Sequence, residues 1–208
     1  MDETAPGEAL APMHVLLHIC CAACAIGPYR ALTDAGHRVT GFFYNPNVHP
    51  FIEFRRRLKA VKVLQERLPM PVIYDEEYGL LRYLQQVDWD ARTRCADCYR
   101  LRLERTAELA VKRDIPAITT TLLGSTHQDV DLIARIGREA AERHGREFLV
   151  EDWRPLAEAG HDEAKRIRLY LQNYCGCIFS EHERFRDTST HVYRGPGPLA
   201  EPNGEADE

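Results

Sequence analysis

Apolar residues along this chain fall into short unbroken runs, separated by stretches in which they recur every three or four positions. Val15-Leu16-Leu17 lies within a run at 14–19, a second run covers 39–44, and others fall at 71–74, 116–120 and 147–150. Short runs of this kind, bounded by turn residues, predict strands buried on both faces. Between them the period changes. Phe51, Phe54, Leu58, Val61, Leu64 and Leu68 share one face of a helix, and Arg55, Arg56, Arg57, Lys59 and Lys62 lie off it, which predicts a solvated basic face. Further helices are predicted over 25–35, closed by Gly36, and over 78–86, 97–113, 129–144 and 163–172. Strands alternating with helices predict an α/β fold, a Rossmann-like parallel sheet with helices on both faces.

Composition sharpens this picture in two places. The 208 residues are 44% hydrophobic, enough to fill the core of one domain. No run approaches the roughly 20 apolar residues of a membrane helix, and the N-terminus lacks the basic-then-apolar pattern of an export signal. A cytoplasmic protein with no membrane partner is expected. The net charge of −5 is unevenly spread. Residues 1–12 carry three acids and residues 195–208 carry four, with no base in either; without these seven charges, residues 13–194 are +2. Both ends are also rich in Pro, Gly and Ala. The expected organisation is a disordered tail over 1–12, a single domain over 13–186 and a flexible acidic tail over 187–208. The mildly basic folded part permits a nucleic-acid partner.

Seven cysteines, an odd number in a chain with no export signal, point to metal or redox chemistry rather than a disulfide framework. Cys20, Cys21 and Cys24 follow the first strand, where α/β proteins hold anionic ligands and cofactors. Sulfur stands where a nucleotide-binding loop would carry glycine and serine. That counts against an ATP-using enzyme of the PP-loop kind, which would need such a loop. Cys95 and Cys98 open a predicted helix whose N-terminus favours thiolate. With Cys20 and Cys21 they make four sulfurs from two loops, a number that suits tetrahedral zinc or one [4Fe–4S] cluster. Adjacent cysteines make a poor zinc knuckle, because successive side chains diverge, and this favours the cluster. A structural zinc site is the alternative.

Cys175-Gly176-Cys177 is a separate pair. A disulfide across this spacing closes a small strained ring of the labile kind, suited to two-electron exchange; further metal ligands are the other reading. Cys24 is open to three readings: a spare thiol, a ligand to a second metal or a small buried residue. His18, inside an apolar strand, reads as a core histidine, whereas His49 and His127 lie in loops after strands. Arg100, Arg102 and Arg105 follow Cys98 closely enough for one to meet a phosphate.

Taken together, these segments resemble the cobalamin-independent epoxyqueuosine reductase family, QueH. The resemblance rests on Cys20-Cys21-Ala22-x-Cys24 and on Phe43-Tyr44-Asn45-Pro46-Asn47-x-His49-Pro50 with Glu53. It continues through Arg94-Cys95-x-x-Cys98-Tyr99 with Arg102, Thr121-Leu122-Leu123-x-Ser125-x-His127, and Gln172-Asn173-Tyr174-Cys175-Gly176-Cys177-x-Phe179-Ser180. Ala23 stands where the family usually has proline, and the stretch between Trp153 and Gln172 lacks its usual Arg/Lys-Ser pattern. The resemblance implies a Rossmann-like fold similar to the adenine nucleotide alpha-hydrolase (HUP) group. It also implies an oxidoreductase that converts epoxyqueuosine to queuosine at the tRNA wobble position. Cys20, Cys21, Cys95 and Cys98 match cluster ligands, and Cys175 and Cys177 match a redox-active pair. Epoxide reduction needs an iron with an open position, supplied by an additional iron ion near Cys24 or by a cluster ligand that dissociates, and an electron donor of ferredoxin or flavodoxin type. A tRNA-thiolating PP-loop-like enzyme and a zinc-stapled, non-catalytic tRNA-binding module are the alternatives. Tyr44, Asn47, His49, Arg102, Ser125 and His127 are the candidate substrate contacts.

Overall fold

The centre of the sheet is β1, His14–Ile19, in which Val15, Leu16, Leu17 and Ile19 are completely buried. The computed structural model describes residues 11–90 and 93–188. In chain order, β1 is followed by α1 (Ala22–Asp34), β2 (Arg38–Phe43), α2 (Phe51–Gln65), β3 (Val72–Tyr74) and α3 (Leu80–Gln86). Then come α4 (Arg94–Lys112), β4 (Ala117–Thr120), α5 (Val130–Arg143), β5 (Glu147–Phe148), α6 (Ala157–Arg166) and α7 (Ile178–Phe185). The five strands run in the order β3-β2-β1-β4-β5, and every pairing is parallel. This is the Rossmann-like α/β arrangement expected from the alternation of strands and helices. No described helix is long and apolar enough to cross a membrane. Apart from residues 11–12 and 187–188, the expected tails lie outside the described residues.

Most element limits agree with the periodicity to within three residues, and the departures have local causes. α1 starts at Ala22, three residues early, because Cys21 is its N-cap and its sulfur accepts the N–H of Cys24 at 3.2 Å. The helix expected at 163–172 lies at Ala157–Arg166 instead, and a further one, α7, follows the Cys-Gly-Cys stretch. α6 packs on α1 at Gly160, where a Cβ would come within 3.0 Å of the Ala23 carbonyl oxygen. A glycine inside a helix normally reads as a break; here it permits close approach of two helices. Burial also overrides one charge pattern. Arg57 is only 2% exposed, so it does not belong to the solvated face predicted for Arg55–Arg57.

Candidate metal and redox site

From β1 the chain winds outward through β2 and β3, then returns to β4 on the other side of β1. The loops after β1 and β4 therefore part company, and a crevice opens at the carboxyl ends of these neighbouring strands. A cavity of about 240 Å³ lies there, lined among others by Cys20, Cys24, Ser125, His127, Gln172 and Cys175.

The sulfurs of Cys20, Cys21 and Cys24 lie within 4.8 Å of one another, the one such group of three ligand-type side chains among the described residues. Cys21 and Cys24 are joined in a disulfide across the start of α1, a pairing the sequence did not lead one to expect, since the cysteines there read as free metal ligands. The bond must be reduced before either sulfur can bind a metal. Hydrogen-bond donors surround the group. The Thr121 hydroxyl donates to the Cys20 sulfur at 3.1 Å, and its oxygen accepts the Cys20 N–H at 3.1 Å. The Gln172 amide donates to the sulfur of Cys21 at 3.0 Å and approaches that of Cys24 at 3.6 Å.

Cys95 and Cys98 lie on the first turn of α4, outside that group. Cys98 packs against Tyr83, Val87 and Cys177. The helix terminus expected to favour their thiolates is outweighed: burial pushes Cys98 up to about 11 and raises Cys95 as well. Between the sulfur groups sits Arg102, which is buried and donates from Nε to the Cys98 carbonyl at 3.1 Å. Its guanidinium feels the charge of Cys98, Cys20 and Cys175, which holds it firmly protonated despite burial.

The Cys175-Gly176-Cys177 stretch is fixed by its backbone. Arg57 donates from Nη2 to the Tyr174 carbonyl and from Nη1 to the Cys175 carbonyl, both at 2.9 Å. The His49 N–H donates to the Gly176 carbonyl at 2.7 Å. Arg57 is neutralised by Glu53 at 2.6 Å, and Glu53 accepts the Tyr170 hydroxyl. Gly176 has φ +116°, and a Cβ there would meet Val48 Cγ2 at 2.9 Å and Arg57 Nη1 at 3.0 Å. Glycine is therefore required on both counts.

With the carbonyls held, the two thiols stand 3.8 Å apart in unlike surroundings. Cys177 is the N-cap of α7 and accepts the Ser180 N–H at 3.3 Å. Hydrogen bonds from Cys175, Ser180 and Tyr83 bring it down to about 5. Cys175 is pushed well above the ordinary thiol range by its hydrogen bond to Cys177 and by burial.

The remaining candidate residues are divided among different surroundings. Ser125 and His127 line the cavity with the thiols. Tyr44 is buried, receives a hydrogen bond from Arg82 at 3.3 Å, and lines a separate cavity of about 380 Å³ beside Arg100 and Arg105. Asn47 and His49 are buried in the loop after β2, and burial lowers His49 to about 4. His18 is a core histidine, bonded through Nδ1 to the Thr120 hydroxyl at 2.8 Å and through Nε2 to the Tyr44 carbonyl at 3.0 Å. Among the cavity-lining residues that were not candidates from the sequence are Arg57, Gln172 and His161. Gln172 had a signal, since it opens the Gln-Asn-Tyr-Cys-Gly-Cys stretch; His161 had none.

Three sulfurs in one group, each met by an N–H or O–H donor, fit a metal bound through thiolates once the Cys21–Cys24 disulfide is reduced. A parallel sheet with this crevice at its switch point defines a Rossmann-like α/β protein whose cysteine cluster could hold a metal. The family model described as epoxyqueuosine reductase QueH matches residues 15–183, and the chain belongs to that family. It is 32% identical over 171 residues to "Epoxyqueuosine reductase QueH" of Dehalococcoides mccartyi, covering 82% of this chain and 94% of the relative. The protein of that name from Thermotoga maritima is 33% identical over 194 residues, covering 89% and 98%. The Helicobacter pylori protein is 33% identical over 180 residues, covering 80% of this chain and 49% of its own.

Proposed function

We propose that this protein reduces epoxyqueuosine to queuosine at the wobble position of tRNA. Cys20, Cys21, Cys95 and Cys98 would hold a [4Fe–4S] cluster, and Cys175 and Cys177 form a redox pair. The observation that carries the reading is the shared cavity of Cys20, Cys24 and Cys175, in a member of the family of that name. The reaction breaks the two C–O bonds of the epoxide, forms a C=C bond and releases the oxygen as water, consuming two electrons and two protons. When bound, the cluster supplies electrons singly. An additional iron ion near Cys24, with an open position, would supply a Lewis acid.

The chain's own residues provide the setting. The cavity admits a base turned out of the anticodon stack and limits the water around it. Ser125 and His127 offer hydrogen bonds along its wall. Arg102 offsets the negative charge of the thiolates on either side. Cys175 retains its proton at neutral pH beside the Cys177 thiolate, so the pair presents an acid and a nucleophile together. Basic side chains outside the cavity take the phosphates of the tRNA loop. The electrons come from a ferredoxin- or flavodoxin-type donor in the cytoplasm, where the tRNA is found.

The test is mass spectrometry of nucleosides from tRNA that carries the epoxide, after anaerobic incubation with iron-loaded protein and a low-potential donor. Loss of one oxygen is expected, with binding that weakens steeply as salt rises. Cys175→Ala should retain its iron and lose multiple turnover with a mild reductant. Intact epoxide in the presence of a full cluster and a competent donor refutes the reading.

A further inference from the structure

Gln172 stands between the two sulfur assemblies. Its side chain reaches back across 151 residues of sequence to the Cys21 sulfur, and it lies three residues before Cys175. The backbone that follows is held by Arg57 at Tyr174 and Cys175, so the amide projects from a clamped segment. A sulfur without a proton, in the disulfide of this structure as in a thiolate, accepts hydrogen bonds and donates none, which orients the NH₂ end toward the sulfurs. The opposite end shows the cost of this orientation. Gln172 Oε1 is buried with no hydrogen-bond partner among the described residues, which is costly for a polar group. The N–H···S contacts are therefore what this conformation secures.

We propose that Gln172 is a positioning residue for the metal site. Its amide N–H groups orient the Cys21 and Cys24 sulfurs for ligation and tie them to the segment that carries Cys175 and Cys177. The proposal rests on the metal-binding reading of the thiols above. Cys21 has two such donors, the Cys24 N–H and the Gln172 amide, whereas among the described residues the Cys24 sulfur accepts from Gln172 alone. Donors of this kind hold a ligand in its binding orientation and draw electron density from it, and losing one typically costs about 10–100-fold in metal affinity.

The experiment is an anaerobic Co²⁺ titration of full-length reduced protein. It follows the sulfur-to-metal charge-transfer band that Cys21→Ala abolishes. Gln172→Met keeps the length and bulk of the side chain and removes the donors, and it should bind Co²⁺ about 10–100-fold more weakly. The band of Gln172→Met should move to longer wavelength, because an undonated sulfur holds its electrons less tightly. A residue that served only to fill space would leave the Met variant's affinity and band in place. Gln172→Met binding within about twofold of wild type overturns the proposal. Wild-type protein that shows no such band overturns the metal reading itself, a failure visible before any variant is compared.

Discussion

Replacing Arg57 tests how the Cys175–Cys177 segment is held. Arg57→Met removes a guanidinium that is 2% exposed and leaves the 5% exposed Glu53 side chain without its cation. Breaking a buried pair on one side typically costs about 3–5 kcal/mol, a large share of the ~5–15 kcal/mol that holds a domain folded. The carbonyls of Tyr174 and Cys175 lose their donors in the same step. The double variant Glu53→Gln/Arg57→Met removes both charges and leaves an acceptor for Tyr170, so it should recover about half of that loss or more. Urea unfolding of metal-free, reduced protein, followed by the fluorescence of buried Trp153, measures the difference. Hydrogen exchange at the His49 N–H reports the segment directly, since that group donates to Gly176 and should lose protection in the single variant. A single variant within about 1 kcal/mol of wild type, or a double variant no more stable than the single, would refute the clamp.

Three further outcomes are expected. Cys20→Ala and Cys95→Ala should each lose most of their iron after anaerobic reconstitution; full iron and colour in both would remove these residues from the ligand set. In reduced, metal-free protein the Cys175–Cys177 pair should release its first proton near pH 5 and its second above the ordinary thiol range. Alkylation rate against pH, read on that peptide, checks this, and a single step near pH 8.5 contradicts it. Burial, reinforced by Arg102, lowers His18 from 6.5 to about 3. The folded chain then binds fewer protons than the unfolded one between these values, so this stability is complete above pH 6.5 and lost toward pH 3. His18→Gln should lose less stability than wild type between pH 7 and 4.5, and equal losses would count against the argument.

The sheet was legible because buried parallel strands leave unbroken apolar runs, and the β1 limits at His14 and Ile19 emerge from the pattern unchanged. The Cys20–Cys24 loop was legible for a similar reason, since sulfur at the end of a strand is local information. Arg57 was not. Its neighbours Arg55 and Arg56 are exposed, and what buries it is a backbone segment 117 and 118 residues away. α7 was missed because its N-cap is Cys177, outside the usual capping residues. α6 was misplaced because Gly160 reads as a break until the Ala23 carbonyl is seen beside it.

The site also has a history written into the order of its parts. Cys20 and Cys175 are 155 residues apart, and translation at about 5–20 residues per second separates them by roughly 8–30 s. During that interval Cys20, Cys21 and Cys24 emerge from the ribosome without Gln172, and Cys95 and Cys98 without Cys177. Metal that arrives early meets an incomplete set of thiols, and an oxidant that arrives early meets unguarded ones. On the proposed ligand set the metal thiols are complete once Cys98 is made, and Cys175 and Cys177 join a chain in which those four are already present.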